Sequence, residues 1–342
     1  MFSAIDLFAG CGGLSEGLRQ SGFKVAAAVE INKDAARTYA ANHPDTKLFV
    51  EDVRELATNE FRKLLGKQTL HLLAGCPPCQ GFSTIRSLNR GTHVEDPRND
   101  LILEFLRFVK ELRPYTIMME NVPAILKYPL FKSVYDELRR LGYHVDYNVV
   151  NVADYGVPQR RKRFVLLGSR LGTIQVAPGN EKKRTVRDAI GGLESVEQTT
   201  DRIHKIYPKH GPRVMQIIKS IPKDGGSRKD LPEEFILKCH KKDGIGFKDV
   251  YGRLKWDDVS STITGGCLNP SKGRFLHPEE DRCITAREAA LLQSFPRDYK
   301  FPDDISQTAL ALMIGNALPP LFSKIQSTHI YNHLSSNLTV SV

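Results

Sequence analysis

Two cysteines stand three residues apart in the stretch Gly75-Cys76-Pro77-Pro78-Cys79-Gln80, and thiols at this spacing have several uses. The pair could be half of a zinc site, but Cys239, Cys267 and Cys283 do not supply a second pair at zinc-binding spacing. It could be a redox pair of the thioredoxin type. One thiol could instead be a nucleophile, or both could simply be packed. The residues themselves leave these interpretations open, with a single nucleophile favoured by the motifs around them.

A glycine-rich loop, Ala9-Gly10-Cys11-Gly12-Gly13, follows the apolar segment Phe2–Phe8. Glycines let the backbone turn sharply and approach a ligand closely, and the N-terminus of a following helix favours a negative group. Glu30 ends the next apolar segment, 18 residues after Gly12, where a carboxylate can accept hydrogen bonds from ribose hydroxyls. Position 15 is Ser, so the loop departs from the dinucleotide fingerprint GxGxxG. The pattern favours a single-nucleoside ligand, although such a loop can also be only a tight turn.

Two further clusters of polar residues could belong to a binding or catalytic site. Glu120-Asn121-Val122 follows the apolar run Ile117-Met118-Met119, which argues against full exposure of the glutamate. The run Gln159-Arg160-Arg161-Lys162-Arg163 precedes another apolar segment. On an extended chain its first, third and fifth residues share one face, which could bind a phosphate or the polar edge of a base. A solvated charged surface is the alternative for this run.

Apolar segments alternate with helix-like segments through the first half of the chain. This alternation predicts a mostly parallel sheet covered by helices on both faces, with a ligand site beyond the carboxyl ends of the strands. The unusual residue clusters fall at those ends. The predicted strands are Phe2–Phe8, Val25–Val29, Lys47–Val50, Leu70–Ala74, Tyr115–Met119, 145–152 and 164–168. The predicted helices follow Gly13, run from Asn32 to Ala41, and cover Asp100–Leu112 and Val134–Leu141.

The pattern changes after about residue 186. Residues 187–280 are basic, rich in Gly and Pro, and weakly periodic, which predicts a separate, irregular domain. A capping box at Thr285-Ala286-Arg287-Glu288 predicts a helix through Ser294. Further helices are expected at 305–313 and 321–333, on either side of Gly315-Asn316. We therefore expect a domain of residues 1–186 that is completed by 301–342, with 187–300 forming the second domain and a hinge.

Composition and charge exclude several classes of protein. The chain has 342 residues, 41% hydrophobic and 26% charged, which is ordinary for a globular protein and excludes disorder or a fibrous repeat. No secretory signal, membrane-spanning run or disulfide framework is recognisable, so we expect a cytoplasmic protein with reduced thiols. The net charge of +10 is uneven: residues 157–255 hold 23 basic and 11 acidic side chains, net +12. This segment favours a polyanionic partner such as nucleic acid, with a well-solvated surface as the alternative.

Taken together, the motifs resemble those of the DNA (cytosine-5) methyltransferases, and the chain looks like a bacterial modification enzyme of that family. Each motif is short, but their order and spacing are specific, and the match covers about 1–170 and 262–335. The resemblance implies a Rossmann-like methyltransferase fold with a smaller target-recognition domain, because the family's sequence-reading region corresponds to about 187–261. The motifs that carry it are Phe8–Gly12, Pro78-Cys79-Gln80, Glu120-Asn121-Val122, Gln159–Arg163 and Gly315-Asn316.

The resemblance also implies a mechanism. The family uses S-adenosylmethionine, releases S-adenosylhomocysteine, needs no metal, and flips the target cytosine out of double-stranded DNA. Cys79 would attack C6 of the base, which activates C5 as a nucleophile. Glu120 would hydrogen-bond N3 and the exocyclic amine, and Arg163 would contact O2. Arg161 would help to hold the loop and the phosphate, and Cys76 would be structural.

The remaining site residues follow from the same resemblance. Residues 80–98 match the loop that closes over the flipped base. Ile31 stands where some family members have an aromatic ring, so aliphatic contact would replace stacking there. The residues expected to bind DNA are Gln80, Ser83, Arg98 and Gln159. The residues expected to surround the cofactor are Phe8, Gly10, Gly12, Glu30, Ile31, Asp52, Val53 and Asn316.

Three rival functions stay open at the level of sequence. The family branch that methylates tRNA shares the catalytic motifs, but its Cys-Phe-Thr signature is absent from the middle region. An inactive cofactor- or DNA-binding module would not need Cys79, Glu120 and Arg163 together. A Cys-x-x-Cys redox enzyme leaves Glu30 and the arginine run unexplained. We expect a monomeric enzyme associated with the bacterial nucleoid. A cognate restriction endonuclease that acts separately is a candidate partner.

Overall fold

A computed structural model of the protein describes residues 1–78, 100–236 and 249–338. Contacts divide the chain into two compact units. The first unit comprises Met1–Tyr155, Lys162–Asn180 and Leu318–Val342, as far as these are described. The second unit comprises Gly156–Arg161 and Glu181–Ala317.

The first unit is built on a seven-stranded sheet of order β3-β2-β1-β4-β5-β7-β6. The first five strands run parallel to one another, and β7 pairs antiparallel with both β5 and β6. All seven predicted strands are therefore confirmed, and so is the α/β fold class. The strands are β1 Ser3–Leu7, β2 Lys24–Val29, β3 Lys47–Phe49, β4 Leu72–Gly75, β5 Thr116–Asn121, β6 His144–Asn151 and β7 Lys162–Ser169.

Helices of the first unit follow the strands, as the alternation predicts. Asn32 caps α2 by accepting a hydrogen bond from the N–H of Ala35 at 2.9 Å. The helix expected from Val134 begins earlier, because Pro129 is accommodated in its first turn. No sequence prediction covered α3. The helices are α1 Gly13–Gln20, α2 Lys33–Asn42, α3 Thr58–Leu65, α4 Leu101–Leu112 and α5 Pro129–Arg140.

One large apolar core lies between the sheet and the helices α3, α4 and α5. Strand β1 is buried along its whole length, as expected for a central strand of a parallel sheet covered on both faces. Ile5 and Leu7 point into this core, whereas Asp6 points to the other face because successive side chains of a strand alternate. The core residues include Phe61, Leu73, Phe105, Phe108, Ile117, Met119, Val134, Leu138, Phe164 and Leu166.

The C-terminal helix returns to the first unit and packs against α1. This helix, α10, spans Pro320–Leu338. A Cβ atom on Gly17 would lie well inside 3.0 Å of Ser323, so a glycine is required where the two helices cross. The hydroxyl of Ser323 donates to the carbonyl of Leu14 at 2.8 Å. The stretch Gln307–Leu338 has the length and apolar composition of a membrane span, but more than half of its most apolar window is buried in the protein.

The second unit is irregular, as predicted, with short helices joined by turns. Thr285 and Glu288 form the predicted capping box at the start of α8. The side chain of Arg253 is fully buried and donates to four backbone carbonyls and to Asp281. The helices of this unit are α6 Val186–Ile190, α7 Pro212–Ser220, α8 Ala286–Leu292 and α9 Gln307–Asn316.

Candidate active site

The loops that follow β1, β2 and β4 meet at one edge of the sheet. The N–H of Ala9 donates to the carbonyl of Val29 at 2.9 Å, and the N–H of Cys76 donates to the carbonyl of Leu7 at 3.3 Å. Neighbouring parallel strands end together here, with Leu7 paired to Gly75 in the ladder. The strand ends at which the sequence predicts a ligand site therefore lie next to one another within the first unit.

Glu30 holds the glycine loop through its carboxylate. Its Oε2 accepts from the N–H of Gly10 at 2.8 Å, and its Oε1 accepts from the N–H of Asn32 at 2.7 Å. Burial raises the pKa of Glu30, although these two N–H groups favour the charged form. A carboxylate offers about four lone-pair positions, so two hydrogen bonds leave capacity for ligand hydroxyls.

The glycine loop has the backbone of a binding loop. Gly10 and Gly12 have φ of 57° and 96°, in the left-handed region that favours glycine. Phe8 also has a positive φ, 62°, which is strained for a residue with a bulky side chain. A Cβ added to Gly10 would meet no atom of the described residues within 4 Å, so open space borders the loop there. Gly12 is the N-cap residue of α1.

A buried polar chain lies beneath the loop. The hydroxyl of Ser15 donates to Oδ2 of Asp6 at 2.6 Å and lies 2.8 Å from the hydroxyl of Tyr39. Oδ1 of Asp6 has no hydrogen-bond partner within the part of the chain that the structure describes. Burial raises the pKa of Asp6 to about 7, and the nearby charge of Glu30 acts in the same direction. The sequence analysis did not single out Asp6, although a carboxylate inside an apolar strand is an unusual feature.

The other residues predicted to bind the cofactor differ in burial and in their contacts. Ile31 is exposed, although its side chain is apolar. Both oxygens of Asp52 accept from the guanidinium of Arg54, and this pairing holds the pKa of Asp52 below its usual range. Val53 packs its side chain into the apolar core, so a role in cofactor binding could involve only its backbone. Asn316 is exposed at the end of α9 in the second unit.

A second cluster surrounds Glu120, which lies in β5 and not after it as the predicted strand end at Met119 implied. Nε of Arg163 donates to Oε1 of Glu120 at 2.7 Å, and both side chains are nearly buried. The thiol of Cys76 lies beside the Glu120 carboxylate, which helps to raise the pKa of that thiol. The side-chain amide of Asn121 donates to the carbonyl of Pro77 at 3.0 Å and so ties β5 to the Pro-Pro segment.

The arginine run is divided between the two units. Arg163 belongs to the first unit, whereas Gln159 and Arg161 belong to the second. Gln159 and Arg161 do share one face, but that face is buried: the N–H of Ile263 donates to Gln159, and Arg161 donates to the carbonyl of Ile263 at 2.6 Å. Gln159 also bonds Gln293, and Arg161 bonds the carbonyl of Gly315 at 2.8 Å. These two side chains thus hold the second unit together, and the role of this face in binding a phosphate or a base stays a prediction.

Four predicted residues lie outside the described parts of the chain: Cys79, Gln80, Ser83 and Arg98. Their assignments therefore remain predictions. Within residues 1–78, 100–236 and 249–338, no group of three or more His, Cys, Asp or Glu side chains could hold a metal ion.

Comparison with known proteins identifies the family. A model of the C-5 cytosine-specific DNA methylase family matches residues 2–331. Type II methylase M.HgiDII of Herpetosiphon aurantiacus is 37% identical, over 97% of this chain and 96% of its own length. Type II methyltransferase M1.HphI of Haemophilus parahaemolyticus is 34% identical, over 94% of this chain and 84% of its own length.

Solved structures agree at the level of fold. An E. coli protein described as a DNA modification methyltransferase encoded within a prophage has a TM-score of 0.71 at 26% identity, with 98% of this chain and 100% of that chain covered. Spodoptera frugiperda DNMT2 has a TM-score of 0.67 at 16% identity, with 97% and 100% covered, a likeness of fold alone. From the match across nearly the whole chain, we conclude that this protein belongs to the C-5 cytosine-specific DNA methylase family and is a DNA (cytosine-5-)-methyltransferase.

Proposed function

We propose that the protein transfers a methyl group from S-adenosylmethionine to C5 of a specific cytosine in double-stranded DNA, after flipping that base out of the duplex. The observation that carries this proposal is the pair of clusters that β1, β2, β4 and β5 present in the first unit. One holds Glu30 against the glycine loop, and the other holds Glu120 against Arg163.

The glycine-loop cluster suits S-adenosylmethionine. Glu30 is fixed by two backbone N–H groups and retains lone pairs for the ribose hydroxyls. Open space beside Gly10 leaves room for a ligand, and exposed Ile31 offers an apolar surface to the adenine ring. Phe8, Gly12 and Asn316 stay among the proposed contacts, as do Asp52 and the backbone of Val53. When bound, the cofactor would supply an electrophilic methyl group, and its product would be S-adenosylhomocysteine.

The Glu120 cluster suits a flipped cytosine. In the proposed reaction the Cys79 thiolate adds to C6, a C–S bond forms, and the ring electrons move towards C5 while Glu120 holds a proton at N3. Arg163 would contact O2 of the ring. Once C5 carries the methyl group, its hydrogen leaves as a proton and the electron pair returns to expel the thiolate.

The nucleophile is assigned to Cys79 because Cys76 is poorly suited to the task. Burial, and then the nearby Glu120 carboxylate, raise the pKa of the Cys76 thiol well above its usual value. Such a thiol stays protonated near neutral pH, and only a thiolate is an effective nucleophile. Cys79 stands three residues further along, in the Pro-Cys-Gln motif of the family resemblance.

Trapping with 5-fluorocytosine tests the chemistry. Fluorine at C5 cannot leave as a proton would, so a duplex that carries 5-fluorocytosine at the target position, with S-adenosylmethionine present, should give a covalent complex that survives denaturation. Cys76→Ser should still form the complex. Cys79→Ser should form none, because a serine hydroxyl is far less acidic than a thiol. A covalent complex formed by Cys79→Ser would show that the nucleophile is another residue.

The proposed domain roles, DNA contacts, location and partner rest on the family and on the charge pattern of the sequence. We propose that residues 187–300 contain the target-recognition domain and a hinge, and that Gln80, Ser83 and Arg98 contact DNA. We further propose a monomeric cytoplasmic enzyme that acts at the bacterial nucleoid. Type II names among its relatives favour a separately acting restriction endonuclease as its functional partner.

A further inference from the structure

Cys76 lies beside Glu120 because of the register of the sheet. In the parallel ladder of β4 and β5, Leu73 pairs with Ile117 and Gly75 pairs with Met119. Cys76 follows Gly75 directly, one residue beyond the end of β4, and Glu120 follows Met119 within β5. Continuing the register by one residue places these two side chains next to each other, in agreement with the effect of the Glu120 carboxylate on the pKa of the Cys76 thiol.

Arg163 reaches the same carboxylate from the strand on the other side. Glu120 pairs with Val165 in the antiparallel ladder of β5 and β7, and Arg163 stands two residues from Val165 on the same face. Its Nε donates to Oε1 of Glu120 at 2.7 Å. Glu120 therefore lies between the thiol of Cys76, just beyond β4, and the guanidinium of Arg163 on β7.

The thiol serves as a hydrogen-bond donor in this arrangement. Burial and the adjacent carboxylate keep Cys76 protonated by raising the pKa of its thiol. A protonated thiol beside carboxylate oxygens acts as the donor, because those oxygens accept hydrogen bonds. Rotation of a carboxylate about its last side-chain bond has broad minima. The Arg163 bond alone thus leaves the plane of the Glu120 carboxylate free to turn, and a second donor from the opposite side restricts it.

We propose that Cys76 is a positioning residue that orients the Glu120 carboxylate for the flipped cytosine. This inference rests on the proposed function of Glu120. It gives the two cysteines of the Cys-x-x-Cys stretch different roles, with Cys79 as the nucleophile and Cys76 as a positioning residue. Cys76 does not touch the base or the cofactor; it acts only through Glu120.

A double-mutant cycle tests the inference. The rate of methyl transfer is measured in a single turnover on target duplex for Cys76→Ala and Cys76→Ser, each in the natural background and with Glu120→Gln. Cys76→Ala should lower the rate about 3- to 10-fold, as expected for loss of one modest hydrogen bond. DNA and S-adenosylmethionine dissociation constants should change less than about twofold. Cys76→Ser should restore most of the rate, because its hydroxyl also donates.

With Glu120→Gln, the Cys76→Ala change should have almost no further effect, because residues that act through one another are not additive. An unchanged rate for Cys76→Ala in the natural background would overturn the inference, and so would an equal loss in both backgrounds. Cys76→Val, which fills the thiol's volume without a donor, replaces Cys76→Ala if that variant does not fold. Glu120→Gln by itself should lower the rate about 100-fold or more. A normal rate for that variant would contradict the proposed function of Glu120, separately from the inference about Cys76.

Discussion

Individual side chains of the first unit are held in place by hydrogen bonds to the backbone. Glu30 is the clearest case, since two N–H groups from either side fix its carboxylate before any ligand arrives. A group held in this way loses little further freedom on binding, so its contacts contribute fully to affinity.

Removal of this carboxylate should weaken cofactor binding. Hydrogen bonds to a charged group contribute about 1.5–3 kcal/mol, so Glu30→Ala should raise the dissociation constant of S-adenosylmethionine about 10- to 150-fold by calorimetric titration. Glu60→Ala is a matched control, because Glu60 is an exposed carboxylate paired only with Lys63 on the surface of α3. An unchanged affinity in Glu30→Ala would remove this residue from the site.

Asp6 should make stability depend on pH. Its pKa is about 7 in the folded protein, whereas an unfolded aspartate titrates near ~3.9. The folded state therefore binds more protons between these values, and the free energy of unfolding should fall as pH rises from about 4 to 7. The predicted loss is roughly 2–4 kcal/mol for this group. In Asp6→Asn, which cannot ionise, urea unfolding at pH 5 and pH 7.5 should show a smaller loss than in the natural protein. Equal losses would mean that Asp6 is ionised throughout.

At the scale of elements, the second unit depends on buried polar links as well as apolar packing. One of its apolar clusters includes Ile217, Ile218 and Tyr251. Arg253 connects the carbonyls at the end of α7, Ile218 and Ile221, to those of His277 and Glu280. A guanidinium has five N–H groups in a fixed plane, which suits it to join several carbonyls at once.

Loss of this link should destabilise the second unit. Arg253→Met removes the donor for four carbonyls, and each buried acceptor left unpaired costs roughly 1–3 kcal/mol. Asp281 keeps its ion pair with Lys223 in this variant. The same substitution at Arg187, an exposed side chain paired with Asp257, should cost about 1 kcal/mol or less. Urea unfolding midpoints and limited proteolysis would measure both. If the two variants lose the same stability, the buried network contributes nothing beyond a surface ion pair.

At the scale of the whole molecule, the excess positive charge is concentrated in one stretch of the chain, most of which belongs to the second unit. Residues 1–156 carry 19 basic and 19 acidic side chains, so the net charge of +12 in 157–255 is concentrated in one stretch. Basic side chains that contact phosphates release counterions and give affinity without sequence preference. Sequence preference needs contacts to base edges, which an irregular, turn-rich segment can present.

A segment exchange tests where this preference lies. Residues 187–261 would be replaced by the corresponding segment of a relative that methylates a different site, and methylation would be mapped by sequencing DNA from a methylation-free host. The methylated sequence should change to that of the donor. An active chimera that still methylates the original sequence would place specificity outside this segment. Two controls are needed: the natural protein, and a protein into which the natural segment has been reinserted by the same cloning steps.

The sequence by itself determined the strands, the order of the elements and the identity of the chemical groups. Apolar segments and the glycine or proline residues that interrupt them are local features, so all seven strands and the Thr285 capping box could be predicted. The motif residues could be recognised for the same reason, because their types and spacing are visible along the chain. Element boundaries were less certain: α5 begins at Pro129, and Glu120 lies inside its strand.

Only the tertiary structure decided which of these side chains are buried and which contact one another. An extended pattern placed Gln159 and Arg161 on one face, but it could not show that Ile263, about 100 residues away, covers that face. The contact between Cys76 and Glu120 depends on the register of two strands separated by 40 residues of chain. The return of α10 to α1 depends on a close approach at Gly17. Register and burial are set by the packing of distant segments, and no local pattern in the chain records them.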